Sequence, residues 1–271
     1  MAIKNIESLV LVGAGQMGLA MVRGWLANGL DSKALTLVNP APRDTIRQFA
    51  SINNILLVSE VPQAKADVVV LAVKPQIAKT VMAGIAGKIS PETLVLSVVA
   101  GFSLQALKNG LGSERIVRTM PNTPAQVGKG VSGAVAANGV DEKDRKLADE
   151  LLGASGIVVW LDNESQIDAL TGVSGSGPAY VFFMVEAMAA AGEAEGLSAE
   201  MAMVLARQTI IGAAALMDAD PTEVATLRKN VTSPNGVTAE ALAVLMADDG
   251  LGPLMGQAIK AAAKRNREIG E

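Results

Sequence analysis

The segment LVLVGAGQMGLAMVRGWL, residues 9–26, constrains this chain more than any other. A β-branched run leads into Gly13, Gly15 and Gly18, spaced G-x-G-x-x-G, and an amphipathic stretch follows at once. In a strand–turn–helix setting the first glycine makes the tight turn. The second lets backbone approach a pyrophosphate, and the third packs helix against sheet. The new helix then presents its free N–H groups to phosphate, with Gln16 and Met17 between the last two glycines. A chain that opens this way is predicted to build a parallel α/β sheet around a dinucleotide.

The next 130 residues agree. Strands are predicted over 35–39, 55–58, 68–73, 94–98, 116–118 and 131–136, after a first strand over 9–12. Helical stretches at 17–27, 45–49, 77–85 and 143–152 lie between them. Strand alternating with helix implies a doubly wound parallel sheet of the Rossmann type, covered on both faces. Beyond residue 160 β-branched runs largely disappear, and the text becomes rich in alanine and methionine. The expected division is therefore 1–163 for nucleotide binding and 164–271 for an all-α domain that binds substrate and dimerises. Gly196 with Ser198, and Asp220-Pro221-Thr222, read as helix breaks. The helices AYVFFMVEAMAAAG and MAMVLARQTIIGAAALM are apolar on nearly every face, and a small domain cannot bury two such helices alone. A homodimer through the C-terminal half is expected to cover them.

Cofactor choice is read at the end of the second strand. An NAD enzyme places a carboxylate there for the ribose, about 20 residues beyond the glycines. This chain has Asn39, then Pro40, Ala41, Pro42 and Arg43. Nothing at that position repels a 2′-phosphate, and Arg43 can pair with one, so NADPH is expected over NADH. DVVVLAVKPQ ends the fourth strand, so Ala72, Val73, Lys74 and Pro75 should line the cofactor crevice. SVVAGFSL does the same for the fifth, with Ala100 and Gly101 keeping the floor low.

Composition narrows the chemistry. The 271 residues include no histidine and no cysteine, which removes imidazole acid–base catalysis, thiolate chemistry and the usual zinc ligands. No metal is expected. A net charge of −4 without a basic block argues against nucleic acid and anionic membranes. The longest apolar stretches are broken by Glu186 and Arg207, so no membrane span is expected, and a cytoplasmic location is the default.

Three further segments are specific: RTMPNTPAQVGKG, LTGVSGSGPAYVFF and NVTSPNGVTAEAL. With the glycine fingerprint and LAVKPQ, they resemble the pyrroline-5-carboxylate reductase family along essentially the whole chain. The resemblance implies hydride transfer from NADPH or NADH to the C=N carbon of 1-pyrroline-5-carboxylate, giving L-proline in the last step of proline biosynthesis. It further implies a substrate carboxylate on Ser233, Gly236, Val237 and Thr238, with Met120 and Ser176 beside the bound ring. By the same resemblance Thr238 hydrogen-bonds the ring nitrogen. The residues allow this, since Ser-Pro-Asn-Gly is a turn, Thr238 is a good N-cap and 239–246 is helical. The lack of histidine is then intelligible, because a protonated cyclic imine is already electrophilic and needs alignment more than acid catalysis. Two departures stand out. Ser59 occupies a cofactor-side position where the family often has asparagine, and Met246 ends a signature that commonly closes on a polar residue.

The glycines of GVSGSGP raise a rival. Hydroxyacid dehydrogenases of the β class carry G-x-x-G-x-G-x-x-x-K-x-x-x-N, and Gly172, Gly175 and Gly177 fall in that register. The lysine and asparagine positions are Val181 and Val185, which cannot take the proton of an alcohol. A cofactor-binding sensor without activity is the second rival, but it should have lost the substrate motif first, and TSPNGVT is intact. The stretch itself reads either as a hinge between domains or, the favoured reading, as a low wall that lets a helix pass close to the ligand. Pro178 is expected to kink or restart that helix.

Overall fold

The computed structural model describes Ile3, residues 6–63 and residues 65–270. These form two compact units: the described residues through Gly175 together with those from Ala262 on, and Ser176–Ala261.

The first unit is an eight-stranded sheet with helices on both faces. In chain order its elements are β1 (Leu9–Val12), α1 (Gln16–Ala27), β2 (Leu35–Val38), α2 (Asp44–Ile52), β3 (Leu56–Val58), β4 (Val68–Leu71), α3 (Pro75–Ile85), β5 (Leu94–Ser97), α4 (Leu104–Leu111), β6 (Ile116–Met120), β7 (Gly130–Ala136), α5 (Glu142–Gly153), β8 (Gly156–Trp160) and α6 (Gln166–Leu170). The strand order is β3-β2-β1-β4-β5-β6-β7-β8. It reverses between β1 and β4, the crevice where doubly wound sheets bind ligands.

β1 and β4 are apolar and buried at every position, as strands covered on both faces must be. Alternate side chains enter separate cores. Leu9, Leu11, Val68 and Val70 join Trp25 of α1 and Leu151 of α5. Val10, Val12, Val69 and Leu71 join Met82 of α3 and Leu107 of α4. Trp25 is fully buried, and its indole N–H donates to the Leu151 carbonyl at 2.8 Å, which satisfies the one polar atom it carries inside.

Two features differ from the sequence reading. β6 and β7 pair antiparallel, so β7 and β8 run against the other strands. The link between them is a single 3₁₀ turn at Thr123–Val127, too short for the crossover that a parallel neighbour needs. α4 and β8 were also not anticipated. Both carried a signal: Ser103 caps α4 through its hydroxyl, Gly112 ends it in the left-handed region, and GIVVW is β-branched.

A π-helical turn, Thr171–Gly175, follows α6. The second unit then holds α7 (Gly177–Ala194), α8 (Ala199–Ala219), α9 (Val224–Asn230), α10 (Val237–Leu245) and the start of α11 (Leu251–Gly270). GVSGSGP is thus helical on both sides of a bend at Ser176, with Pro178 in the first turn of α7. Both expected helix breaks occur. Gly196 has a φ of +99° and the Ser198 hydroxyl caps α8, while Asp220 accepts the Thr222 N–H. Hydrogen bonding from the Thr222 side chain first, and from its backbone N–H second, holds the Asp220 carboxyl below its usual range.

α7 and α8 pack through Ala189, Ala202 and Ala206, and most of their larger apolar side chains face outward. By length and composition α8 is apolar enough to cross a membrane, which the sequence reading had excluded on Arg207. The apolar residues around Arg207 offset its single charge.

Candidate active site

The carboxyl ends of β1, β2 and β4 open on a cleft of about 590 Å³. Eight of the cofactor residues expected from sequence line it: Gly13, Gly15, Asn39, Arg43, Ser59, Ala72, Val73 and Lys74. Gln16, Met17 and Gly18 form the first turn of α1, and Pro75 opens α3 behind Lys74. Ala100 and Gly101 lie in the turn between β5 and α4, and Met120 is buried at the end of β6.

The glycines divide the labour as their spacing predicts. Gly13 has a φ of +100°, and a Cβ there would meet the Ala72 carbonyl oxygen at 2.6 Å. A Cβ on Gly18 would lie 2.5 Å from the Gly13 oxygen, so α1 is seated directly on the turn. Gly15 is different. Nothing lies within 4 Å of a Cβ built on it, so its bare backbone faces open space at the start of α1. That is the arrangement a pyrophosphate needs: close backbone, free N–H groups and no side chain between. The residues present fit a dinucleotide.

At the far end the Asn39 side chain accepts the Ala41 N–H at 3.1 Å, which turns the chain toward Arg43. The sequence reading missed the wall provided by α3, where Ile77, Val81 and Ile85 line the cleft at helical spacing. It also missed Lys88 and Glu60. Lys88 donates to the Val61 carbonyl at 3.0 Å and lies 3.6 Å from the Glu60 carboxylate, so this acid inside the cleft is matched by a cation.

The turn carrying Ala100 and Gly101 is held from behind. Glu164 accepts both the Leu104 N–H that starts α4 and the Arg118 guanidinium, each at 2.6 Å. Arg118 is buried, and Glu164 makes it a paired rather than an isolated buried charge.

In the second unit, Ser233 and Gly236 close a turn through a Gly236 N–H to Ser233 carbonyl bond of 3.0 Å, with Asn235 at a φ of +56°. α10 begins at Val237, with Gly236 as its N-cap and no side-chain cap. The N-cap expected at Thr238 is therefore corrected: Asn235 takes the left-handed conformation, which turns the chain into the helix ahead of the threonine. The helix start leaves the N–H groups of Val237 and Thr238 without intrahelical acceptors, beside the exposed Ser233 and Thr238 hydroxyls. Ser176 lies one residue ahead of α7.

Known proteins are similar to this chain in sequence and fold over nearly its whole length. The sequence profile described as "Pyrroline-5-carboxylate reductase dimerisation" matches residues 164–269, and "NADP oxidoreductase coenzyme F420-dependent" matches residues 8–101. A protein of Pseudomonas aeruginosa named pyrroline-5-carboxylate reductase is 41% identical over 267 residues, covering 97% of each chain. A solved pyrroline-5-carboxylate reductase of Coxiella burnetii superposes with a TM-score of 0.91 at 36% identity, over 98% of this chain and all of that one. A Plasmodium falciparum pyrroline carboxylate reductase, solved with NADP bound, gives a TM-score of 0.84 at 30% identity over the full length of both chains.

Proposed function

The chain belongs to the pyrroline-5-carboxylate reductase family, and on that premise we propose that it reduces 1-pyrroline-5-carboxylate to L-proline, the last step of proline biosynthesis. The cofactor is NADP. When bound, NADPH supplies the hydride, which goes to the imine carbon, and the ring nitrogen keeps the proton it already carries. The observation that carries this reading is a glycine-turned cleft with open backbone at Gly15 and no carboxylate at Asn39, on a chain related to these reductases end to end.

The chain's own residues bind and align. Gly13, Gly15, Gln16, Met17 and Gly18 hold the pyrophosphate, and Asn39, Arg43 and Ser59 hold the adenosine end. Ala72, Val73, Lys74, Pro75, Ala100 and Gly101 line the path of the nicotinamide. Ser233, Gly236 and Val237 receive the substrate carboxylate, with Met120 and Ser176 beside the ring. Thr238 orients the ring nitrogen and is the residue assigned to catalysis. Binding an electrophile that needs no acid is work for hydroxyls and backbone, which suits a chain without histidine.

NADPH oxidation is the test, run with pyrroline-5-carboxylate, with the carbonyl compound that a β-hydroxyacid dehydrogenase would reduce to its hydroxyacid, and with neither. Turnover with the imine alone is expected; turnover with that carbonyl compound alone would overturn the reading. Thr238→Ala should lower kcat/KM by roughly tenfold to a hundredfold, the range for one lost orienting hydrogen bond in a closed site. Full turnover with unchanged substrate affinity would remove Thr238 from this role. Arg43→Ala should cut the preference for NADPH over NADH by about tenfold, through loss of one charge-assisted contact. An unchanged ratio would reassign the 2′-phosphate to other cations of the cleft.

The assembly belongs to the same proposal. Phe182 and Phe183 of α7 are 63% and 67% exposed, and Val204 of α8 is 61% exposed. Apolar surface on this scale needs cover, and a second copy joined through the C-terminal helices supplies it. We place the protein in the cytoplasm as this homodimer, with a higher homo-oligomer as the alternative.

A further inference from the structure

Asn122 is buried, and its side chain does something its position does not suggest. It is the N-cap residue of the 3₁₀ turn Thr123–Val127, where asparagine normally caps, yet it makes no cap bond. Its amide instead bridges two distant segments. The oxygen accepts the Val131 N–H of β7 at 2.9 Å, and the nitrogen donates to the Ser174 carbonyl at 3.1 Å. One acceptor and one donor are required, so the orientation of the amide is determined by its partners.

The Ser174 carbonyl is the informative end. In a continuing α-helix it would accept from the N–H four residues on, but that residue is Pro178, which has none. Ser174 belongs to the π-helical turn Thr171–Gly175, a local irregularity that proteins retain mostly at functional sites. Two hydroxyls reinforce the distortion, since Thr171 and Ser174 bond back to the carbonyls of Ile167 and Leu170 at 2.7 and 3.1 Å. Asn122 thus replaces the donor that proline withholds, and ties the turn to the segment just beyond the carboxyl end of β6. Ligands of an open α/β sheet lie beyond those strand ends. The adenosine end of the cleft is at β2 and β3, so the nicotinamide end is toward β5 and β6.

We propose that Asn122 is a positioning residue of the reductase. By holding the Ser174 carbonyl, it fixes the π-helical turn as a rigid wall at the nicotinamide end of the cleft, and hydride transfer depends on that wall. The inference rests on the reductase reading given above.

Asn122→Asp is the informative variant, because it keeps the size of the side chain and the acceptor for Val131 while replacing the donor by a charged acceptor. The ionised carboxylate then faces the Ser174 carbonyl without a proton between them. Three quantities are measured on the full chain: kcat, the dissociation constant of NADPH, and amide hydrogen exchange across residues 171–176. The expected result is a kcat at least about tenfold lower, NADPH affinity within about threefold of the parent, and faster exchange confined to the turn. The value of kcat is referred to the concentration of NADPH-binding sites found in the same titration, so a general loss of folded enzyme lowers the site count and leaves kcat unchanged. Parental kcat, or parental exchange across 171–176, overturns the proposal. If the unsubstituted chain fails to oxidise NADPH with pyrroline-5-carboxylate, the reductase reading fails, and a positioning role in that reaction is overturned with it. Parental exchange in an otherwise active enzyme removes the clamp alone.

Discussion

Gly13→Ala is expected to weaken NADPH binding by roughly two orders of magnitude, about 2.8 kcal/mol at 1.4 kcal/mol per tenfold. The added methyl would stand 2.6 Å from the Ala72 oxygen and 2.9 Å from a Val73 methyl. Two of the three obstacles are backbone of the turn after β4, so no side-chain rotation relieves the contact. The turn after β1 and the turn after β4 must part, and both are walls of the cleft. A φ of +100° adds strain that alanine cannot accept without cost. Gly15→Ala separates folding from binding, because its methyl meets no protein atom within 4 Å. That variant should melt like the parent and still bind NADPH more weakly, since the methyl occupies space meant for the pyrophosphate. Fluorescence titration with NADPH beside a thermal melt reads both effects. Parental affinity in Gly13→Ala would show that the cofactor does not use this turn.

Asp144→Ala should cost about 3–5 kcal/mol of stability, with the lower half favoured because its partner is not fully enclosed. Asp144 is 2% exposed and accepts two bonds from Arg115, at 3.0 Å from Nε and 2.5 Å from an Nη. Hydrogen bonding to Asp144, ahead of every other influence, raises the Arg115 pKa above its already high ordinary value. The ordinary guanidinium pKa is itself far above neutrality, so Arg115 stays charged when its partner is removed, and among the described residues the Glu92 carbonyl, at 2.6 Å, is the acceptor left to its side chain. Asp144 also closes the capping box of α5 by accepting the Asp141 N–H while Asp141 accepts its own. One substitution thus removes a buried ion pair and half of a helix cap. For a unit of this size the expected shift in Tm is roughly 6–20 °C. Asp144→Asn should fall between, since it retains one acceptor. A loss below about 1 kcal/mol in urea denaturation would mean that water reaches Arg115 freely.

Much of this fold was legible because its signals are local. β1 was read to the residue, since LVLV is bounded by Gly13 on one side and polar residues on the other. The helix breaks at Gly196 and Asp220 were read from adjacent residues for the same reason. β8 escaped because it is an edge strand whose Ile157 and Val159 face outward, so the short β-branched run GIVVW was its one signal. The reversal at β7 escaped because direction depends on the length and shape of a connection, and residues 121–129 look like any loop. In the cleft, the glycines and Arg43 lie within one βαβ unit and were found. Lys88, Glu60 and the α3 wall meet them only after the strands are ordered side by side.

The amino-acid sequence by itself determined the chemistry available to this protein. Without histidine or cysteine it has no imidazole or thiolate to work with, and GAGQMG is the kind of turn that a dinucleotide pyrophosphate needs. It also determined the need for an outside donor, since Pro178 denies the Ser174 carbonyl its partner in an α-helix. Only the tertiary structure decided who meets that need. Asn122 and Ser174 are 52 residues apart, and nothing in their spacing links them until β6 delivers one amide to one carbonyl. Local conformation follows from neighbouring residues. A hydrogen bond between distant ones exists only once the sheet has closed the distance between them.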